Sequence, residues 1–256
     1  MTHRPTTFLL GLCLAVAPAF GAAVTVTNQN RSVHVAIPAL GDVPAVDETI
    51  SAPDNGAFNE TLERSVIGVD VINTATASQT SSFGELDDVF TATAQGSTSY
   101  TAAGTPGIVF AESQFSITFT LAEERAYTIQ GGASFPDTGS GASDFAVTLA
   151  GPGGTVQSFT KADFNPGLQD GTQINPTFNE SGTLAAGEYT LAADSGVSGG
   201  TNVNEILASF DLTFTATLDD GTEPPPPGVI PLPAAAWPGV MMLSGLGVAS
   251  WKKRRR

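Results

Sequence analysis

Apolar and polar residues change places at every step in one short run of this chain after another. Phe115, Ile117, Phe119 and Leu121 alternate with Ser116, Thr118 and Thr120. A period of two sends successive side chains to opposite faces, so each run is a strand with one buried and one wetted face. The same pattern marks Val24–Thr27, Arg31–Ile37, Val66–Ile72, Val89–Thr93, Tyr127–Ile129, Phe145–Leu149, Tyr189–Leu191 and Phe210–Thr215. Threonine fills many polar positions, as a half-solvated sheet prefers. Glycine, proline and Asp/Asn collect between the runs, at Gly139-Ser140-Gly141 and Gly151-Pro152-Gly153-Gly154. One segment, Asp54 to Arg64, is a helix candidate. Many short one-sided strands without intervening helices form antiparallel sheets packed face to face. The expectation is an all-β, antiparallel β-sandwich, jelly-roll-like in kind, over a body of residues 24–223.

What holds such a body is limited by its composition. The single cysteine, Cys13, lies near the N-terminus, so residues 24–223 contain no disulfide, thiolate nucleophile or cysteine-based metal site. Core and sheet ladders must supply the stability. His34 is the only histidine of the body and sits in an alternating run, where it reads as a solvent-facing strand residue. A Ser-His-Asp triad would depend on it alone. These counts argue against an enzyme. All 25 acidic residues fall between Asp42 and Glu223, against four cations, Arg31, Arg64, Arg125 and Lys161, leaving −21 on the body. Such a surface repels nucleic acid and keeps a secreted protein soluble.

The two ends read as addresses. Arg4 precedes the apolar run Phe8–Ala17, and small residues follow at Ala19, Gly21, Ala22 and Ala23. That is the pattern of a secretory signal peptide over residues 1–23. Both Ala19-Phe20-Gly21 and Gly21-Ala22-Ala23 fit the small-x-small cleavage rule, which puts the mature start between Ala22 and Val24. Leu12 before Cys13, inside the apolar run, does not suit a lipid-attachment site. At the other end, a proline-rich linker (224–230) leads into 231–256. Ala234 to Trp251 is uncharged and near the ~20 residues that cross a bilayer, and Lys252, Lys253, Arg254, Arg255 and Arg256 form a basic stop that holds the tail in the cytoplasm.

Ile230-Pro231-Leu232-Pro233-Ala234, the apolar span and the basic end together resemble the VPLPA-CTERM sorting domain, a variant of the PEP-CTERM signals of Gram-negative bacteria. Ile230 stands where the motif name has valine. The resemblance covers residues 229–256 and none of the body. It implies export through the inner membrane, transient anchoring by the C-terminal transmembrane helix, and processing by an exosortase-type enzyme. It also implies a place on the cell envelope, outer surface or extracellular matrix, often beside exopolysaccharide. Within the body, Leu184–Leu191 has the form turn-Gly-x-Tyr-x-Leu, similar to the strand that ends many bacterial extracellular sandwich domains.

Candidate chemistry is sparse. The carboxylate doublets Asp87-Asp88, Glu123-Glu124 and Asp219-Asp220 point to opposite faces if extended, so none is itself a glycosidase pair. Glu123-Glu124-Arg125 reads as the hairpin turn after Leu121. Calcium takes carboxylates from flexible loops, and Asp137, Asp144, Asp219 and Asp220 lie in acidic, glycine-containing loops without EF-hand spacing. They are the candidate metal ligands. The body has no tryptophan to serve as a sugar-stacking platform. The expected role is structural or adhesive, with a carbohydrate- or calcium-binding module acting on exopolysaccharide as the alternative.

Overall fold

The computed structural model describes residues 24–69, 71–86, 88–102, 107–136, 142–164, 172–199 and 203–218. Among them the strands run in the order β1 (Thr25–Ile37), β2 (Val46–Ser51), β3 (Phe58–Gly68), β4 (Val71–Leu86), β5 (Val89–Ala102), β6 (Val109–Leu121), β7 (Arg125–Pro136), β8 (Ala142–Gly151), β9 (Gly154–Thr160), then a single helical turn, α1 (Lys161–Phe164), and β10 (Gln173–Ile174), β11 (Thr177–Leu184), β12 (Gly187–Gly199) and β13 (Val203–Leu218). They make two antiparallel sheets. One is ordered β2-β1-β6-β12-β8-β9, the other β10-β7-β13-β5-β4-β3, with β11 also paired to β7. The chain passes repeatedly from one sheet to the other, so neither forms alone.

The alternation is realised as a sandwich core. Along β6, Val109, Ala111, Ser113, Phe115, Ile117, Phe119 and Leu121 are buried and the residues between them half-exposed. Phe119 meets Phe90 of the facing sheet at 5.2 Å between ring centroids and Phe214 at 5.5 Å. Tyr189 and Tyr127 extend the stack at 6.0 and 6.2 Å. Each such side chain withdrawn from water contributes roughly 1.5–3 kcal/mol. Nearer the middle the inner faces turn small and polar. Gln79, Ser81, Ser113 and Ser195 are all buried there, and Gln79 Nε2 donates to the carbonyl of Gln114 across the sandwich. The sheets close in at Gly96, where a Cβ would overlap the Phe210 ring and Ser113 Oγ.

Three local expectations are corrected. Asp54 to Arg64 is not a helix. Asp54 Oδ1 accepts from Gly56 N at 2.8 Å to make a turn, and the rest enters β3. Phe58, Leu62 and Val66 of that strand face the core, at a four-residue spacing that suits a helix face as well as a strand. The run Val66–Ile72 is two strands: Gly68 pairs with Val71 across a hairpin tip, leaving Ile67, Val69 and Ile72 exposed. Glu123-Glu124-Arg125 is not a hairpin turn, because β6 and β7 lie in different sheets. Arg125 is a buried strand residue. Its Nη1 donates to the carbonyl of Asp88 at 2.9 Å and its Nη2 to Glu85 Oε1 at 2.8 Å, which is how a buried guanidinium is tolerated. The Gly187-x-Tyr189 strand, β12, is central in its sheet and is followed by β13. Its tyrosine closes the preceding turn, with Tyr189 Oη donating to Ala185 O at 3.0 Å.

Candidate functional site

The sorting motif Ile230 to Ala234, the basic stop Lys252 to Arg256, and Asp137, Asp219 and Asp220 lie outside the described residues. No helix among the described residues is long and apolar enough to cross a membrane. Asp144 is exposed at the start of β8, where its Oδ1 accepts from Phe145 N at 2.8 Å. No group of three His, Cys, Asp or Glu among the described residues is placed to hold a metal ion.

Two connected hollows lie on the outer face of the seven-stranded sheet. One, of about 560 Å³, is lined by Gln130, Gly132, Asn179, Asp211 and Thr213 among others. The second, of about 280 Å³, shares Asp211 and Thr213 and adds Thr80, Thr93 and Gln95. Register explains the grouping. Thr213 is opposite Gln130 and Thr93, and Gln130 is opposite Asn179. Asp211 is opposite Gly132 and Gln95, and Gln95 is opposite Thr80. Two rows of hydroxyls and amides therefore cross β11, β7, β13, β5 and β4, with one carboxylate at their centre. Glycine leaves the floor of the groove without a side chain there. A Cβ on Gly132 would stand 3.0 Å from Pro176 O and 3.1 Å from Asp211 Oδ1. Gly131 points inward, and a Cβ there would overlap the carbonyl of Asp211 and crowd Phe178.

The outer face of the six-stranded sheet differs. Glu112 of β6 and Asp144 of β8 both lie opposite Gly196 of β12. Asp194, two residues before that glycine, has its carboxyl pushed up to about 6, by burial first and then by the charges of Asp144 and Glu112. Gln114 Nε2 donates to Glu112 Oε1 at 2.6 Å. His34 lies on the same face, half-exposed, with Nε2 2.9 Å from Asp47 Oδ1 and its ring 5.2 Å from Phe110.

No family model and no curated protein matches the chain. Two solved structures show a distant likeness. One is a structure of infectious bursal disease virus Gx strain, at 16% identity over 81% of this chain and 60% of that one, with a TM-score of 0.29. The other is Arthrobacter globiformis T6 isomalto-dextranase complexed with panose, at 12% identity over 76% and 33%, with a TM-score of 0.18. The chain thus spans 60% and 33% of their lengths, and superpositions this poor carry no weight for fold or function.

The groove was not foreseen from the sequence. Asp211 and Thr213 stand in a recognised alternating run, where they count simply as its wetted half. The available signal was Gly131-Gly132 inside a strand pattern, which marks a close backbone approach or a space kept open above the sheet.

Proposed function

We propose that this chain is an exported surface or matrix protein of a Gram-negative bacterium, and that its sandwich body adheres to exopolysaccharide through the polar groove of the seven-stranded sheet. The observation that carries the adhesive part is the pair of polar rows meeting at Asp211. Hydroxyls, carboxamides and one carboxylate supply both donors and acceptors, the chemistry that matches a polyhydroxylated polymer. Antiparallel strands stand about 4.8 Å apart, so five of them span roughly 20 Å, room for several sugar rings. No exposed aromatic lines the groove. Binding would rest on hydrogen bonds exchanged with water, each worth about 1 kcal/mol net, and would be weak per site. Many copies on one polymer then provide the retention.

The terminal segments supply the address in this reading. A signal peptide directs export, the C-terminal helix holds the chain in the inner membrane, and an exosortase-type enzyme removes it near Ile230 to Ala234. The passage of strands between sheets favours a jelly-roll-like arrangement for the exported body. Electrophoresis of the full chain through gels containing neutral or acidic polysaccharide tests the adhesive reading. Retardation by a neutral polysaccharide, lost in an Asp211→Ala/Thr213→Ala variant, is expected. Unchanged mobility in every gel would leave a structural role without a glycan partner. Intact-mass measurement of protein from the native envelope tests the address, with recovery only of chains ending at Arg256 contradicting it.

A further inference from the structure

Val24 carries the first backbone hydrogen bond of the body, and it goes to a charged group. Its N–H donates to Glu85 Oε2 at 2.7 Å. The next residue, Thr25, is already paired with Thr120 of β6, so there is no slack between this bond and the sheet. Glu85 lies near the end of β4 in the other sheet, with 19% of its side chain exposed. Its second oxygen takes Nη2 of Arg125, a side chain wholly removed from solvent, at 2.8 Å. One carboxylate thus ties the residue just before β1 of the six-stranded sheet to the seven-stranded sheet. A neutral amide is a modest partner for a carboxylate in so enclosed a place, where a charged donor makes a stronger, shorter bond.

We propose that the Ala23–Val24 bond is the one cut on export, and that Glu85 holds the α-ammonium of Val24 that this cut creates. The proposal rests on the export reading above. Gly21-Ala22-Ala23 supplies the small residues that an export peptidase requires. Hydrolysis places the oxygen of water on the Ala23 carboxylate. The Val24 nitrogen, no longer acylated, takes up protons and becomes a cation 2.7 Å from Oε2 if it keeps its position. Cleavage after Gly21 would leave Ala22 and Ala23 in front. The charge would then sit on Ala22, up to about 7 Å of chain away from the nitrogen that Glu85 holds, and Val24 N would stay a neutral amide. Maturation on this account puts an ion pair where the uncut chain has a neutral hydrogen bond, and that ion pair fastens the two sheets.

The test uses protein exported from the full-length gene. N-terminal sequencing should read Val24-Thr25-Val26. A start at Met1 would overturn the export reading and this proposal with it, whereas a start at Ala22 would overturn the proposal and leave export intact. Acetylating the mature amine removes its charge. The melting temperature should then fall by roughly 2–4 °C, the shift that about 1 kcal/mol produces in a body of this size. In Glu85→Gln the same acetylation should change nothing. An unchanged melting temperature in the wild type, or an equal fall in both proteins, would refute the ion pair. If Glu85→Gln does not fold, the sequencing and the wild-type acetylation decide alone.

Discussion

Each outer face of the sandwich is opened near its middle by a glycine, and the two faces use the opening differently. On the seven-stranded sheet, Gly132 lets Asp211 lie above the backbone among Gln130, Thr213 and Gln95. On the six-stranded sheet, Gly196 separates Glu112 from Asp144, with Asp194 alongside. The first face is nearly neutral and rich in hydroxyls and amides. The second gathers carboxylates that repel one another. Hydropathy does not distinguish these faces, since both are the polar halves of alternating strands. What separates them is whether a polar side chain is partnered by neutral groups or by like charges. A neutral polymer can be exchanged for water on the first face at little desolvation penalty, whereas the second resists the loss of its water.

The sharpest way to break this comparison is to fill each glycine in turn. Gly132→Leu would occupy the groove beside Asp211, and retention by neutral polysaccharide should drop at least about tenfold, equivalent to 1.4 kcal/mol. Gly196→Leu has room on the backbone, the nearest atom to its Cβ being Ala111 O at 3.9 Å, and should leave retention unchanged. Both variants need melting curves beside the binding assay to show that they fold. Loss of retention in Gly196→Leu alone would transfer the adhesive role to the acidic face.

Asp194 gives the next largest effect. Its folded carboxyl titrates near 6, above the usual value of about 3.9. A carboxyl raised on folding binds its proton more readily in the native state. Its ionised form therefore weakens the fold at neutral pH, and stability is regained as pH falls through 6 toward 4. A shift of this size corresponds to at most about 3 kcal/mol, and to nearer 1 after screening by solvent is allowed for. Asp194→Asn should accordingly raise stability by about 1 kcal/mol at pH 7.5 and by little at pH 4. Asp211→Asn, at an exposed position of the neutral face, should stay within about 0.5 kcal/mol at either pH. Denaturant melts at the two pH values measure this, and a pH-independent gain in Asp194→Asn would remove the repulsion argument.

The sequence revealed the strands better than their pairing. The Phe115–Leu121 part of β6 and the Phe210–Thr215 part of β13 were legible because large apolar residues hold every second position. β4 was not: its inner positions are Ala75, Ala77, Gln79 and Ser81, too small or too polar to announce a core face. They are buried because the opposite sheet packs close at that level, around Gly96, where Ser113 of β6 would touch an added Cβ. The link at Glu123-Glu124-Arg125 looked like a hairpin because a short loop usually joins neighbours. Arg125 instead turns into the second sheet, where Glu85 and two carbonyls await it, and those partners lie 37 to 91 residues away in sequence. The groove shares this property. Asp211, Gln130 and Gln95 come together only through register, and no spacing within one strand encodes it.

The smallest expected effect is that of salt, and it bears on the acidic face. The four cations of the body are all engaged within the fold. Arg125 pairs with Glu85 and Arg64 with Glu48, Arg31 Nη2 donates to Asp54 O, and Lys161 Nζ donates to Ser143 O at 3.0 Å. Twenty-five acidic residues against four cations leave the body with a large excess of negative charge. The Debye length is about 30 Å at 0.01 M and about 10 Å at 0.1 M, so repulsion across the molecule is largely screened over that range. Melting temperature should therefore rise with sodium chloride, and Asp194→Asn should show a smaller rise than the wild type. Calcium at matched ionic strength separates screening from binding. A ligand held only by the native state raises the melting temperature in a saturable way, by an amount set by its concentration over its dissociation constant. A saturable gain with calcium that is lost in Asp144→Asn would make the loop at the start of β8 a cation site. Identical curves in calcium and sodium would leave the acidic face as a screened surface, set apart from the groove around Asp211 by charge alone.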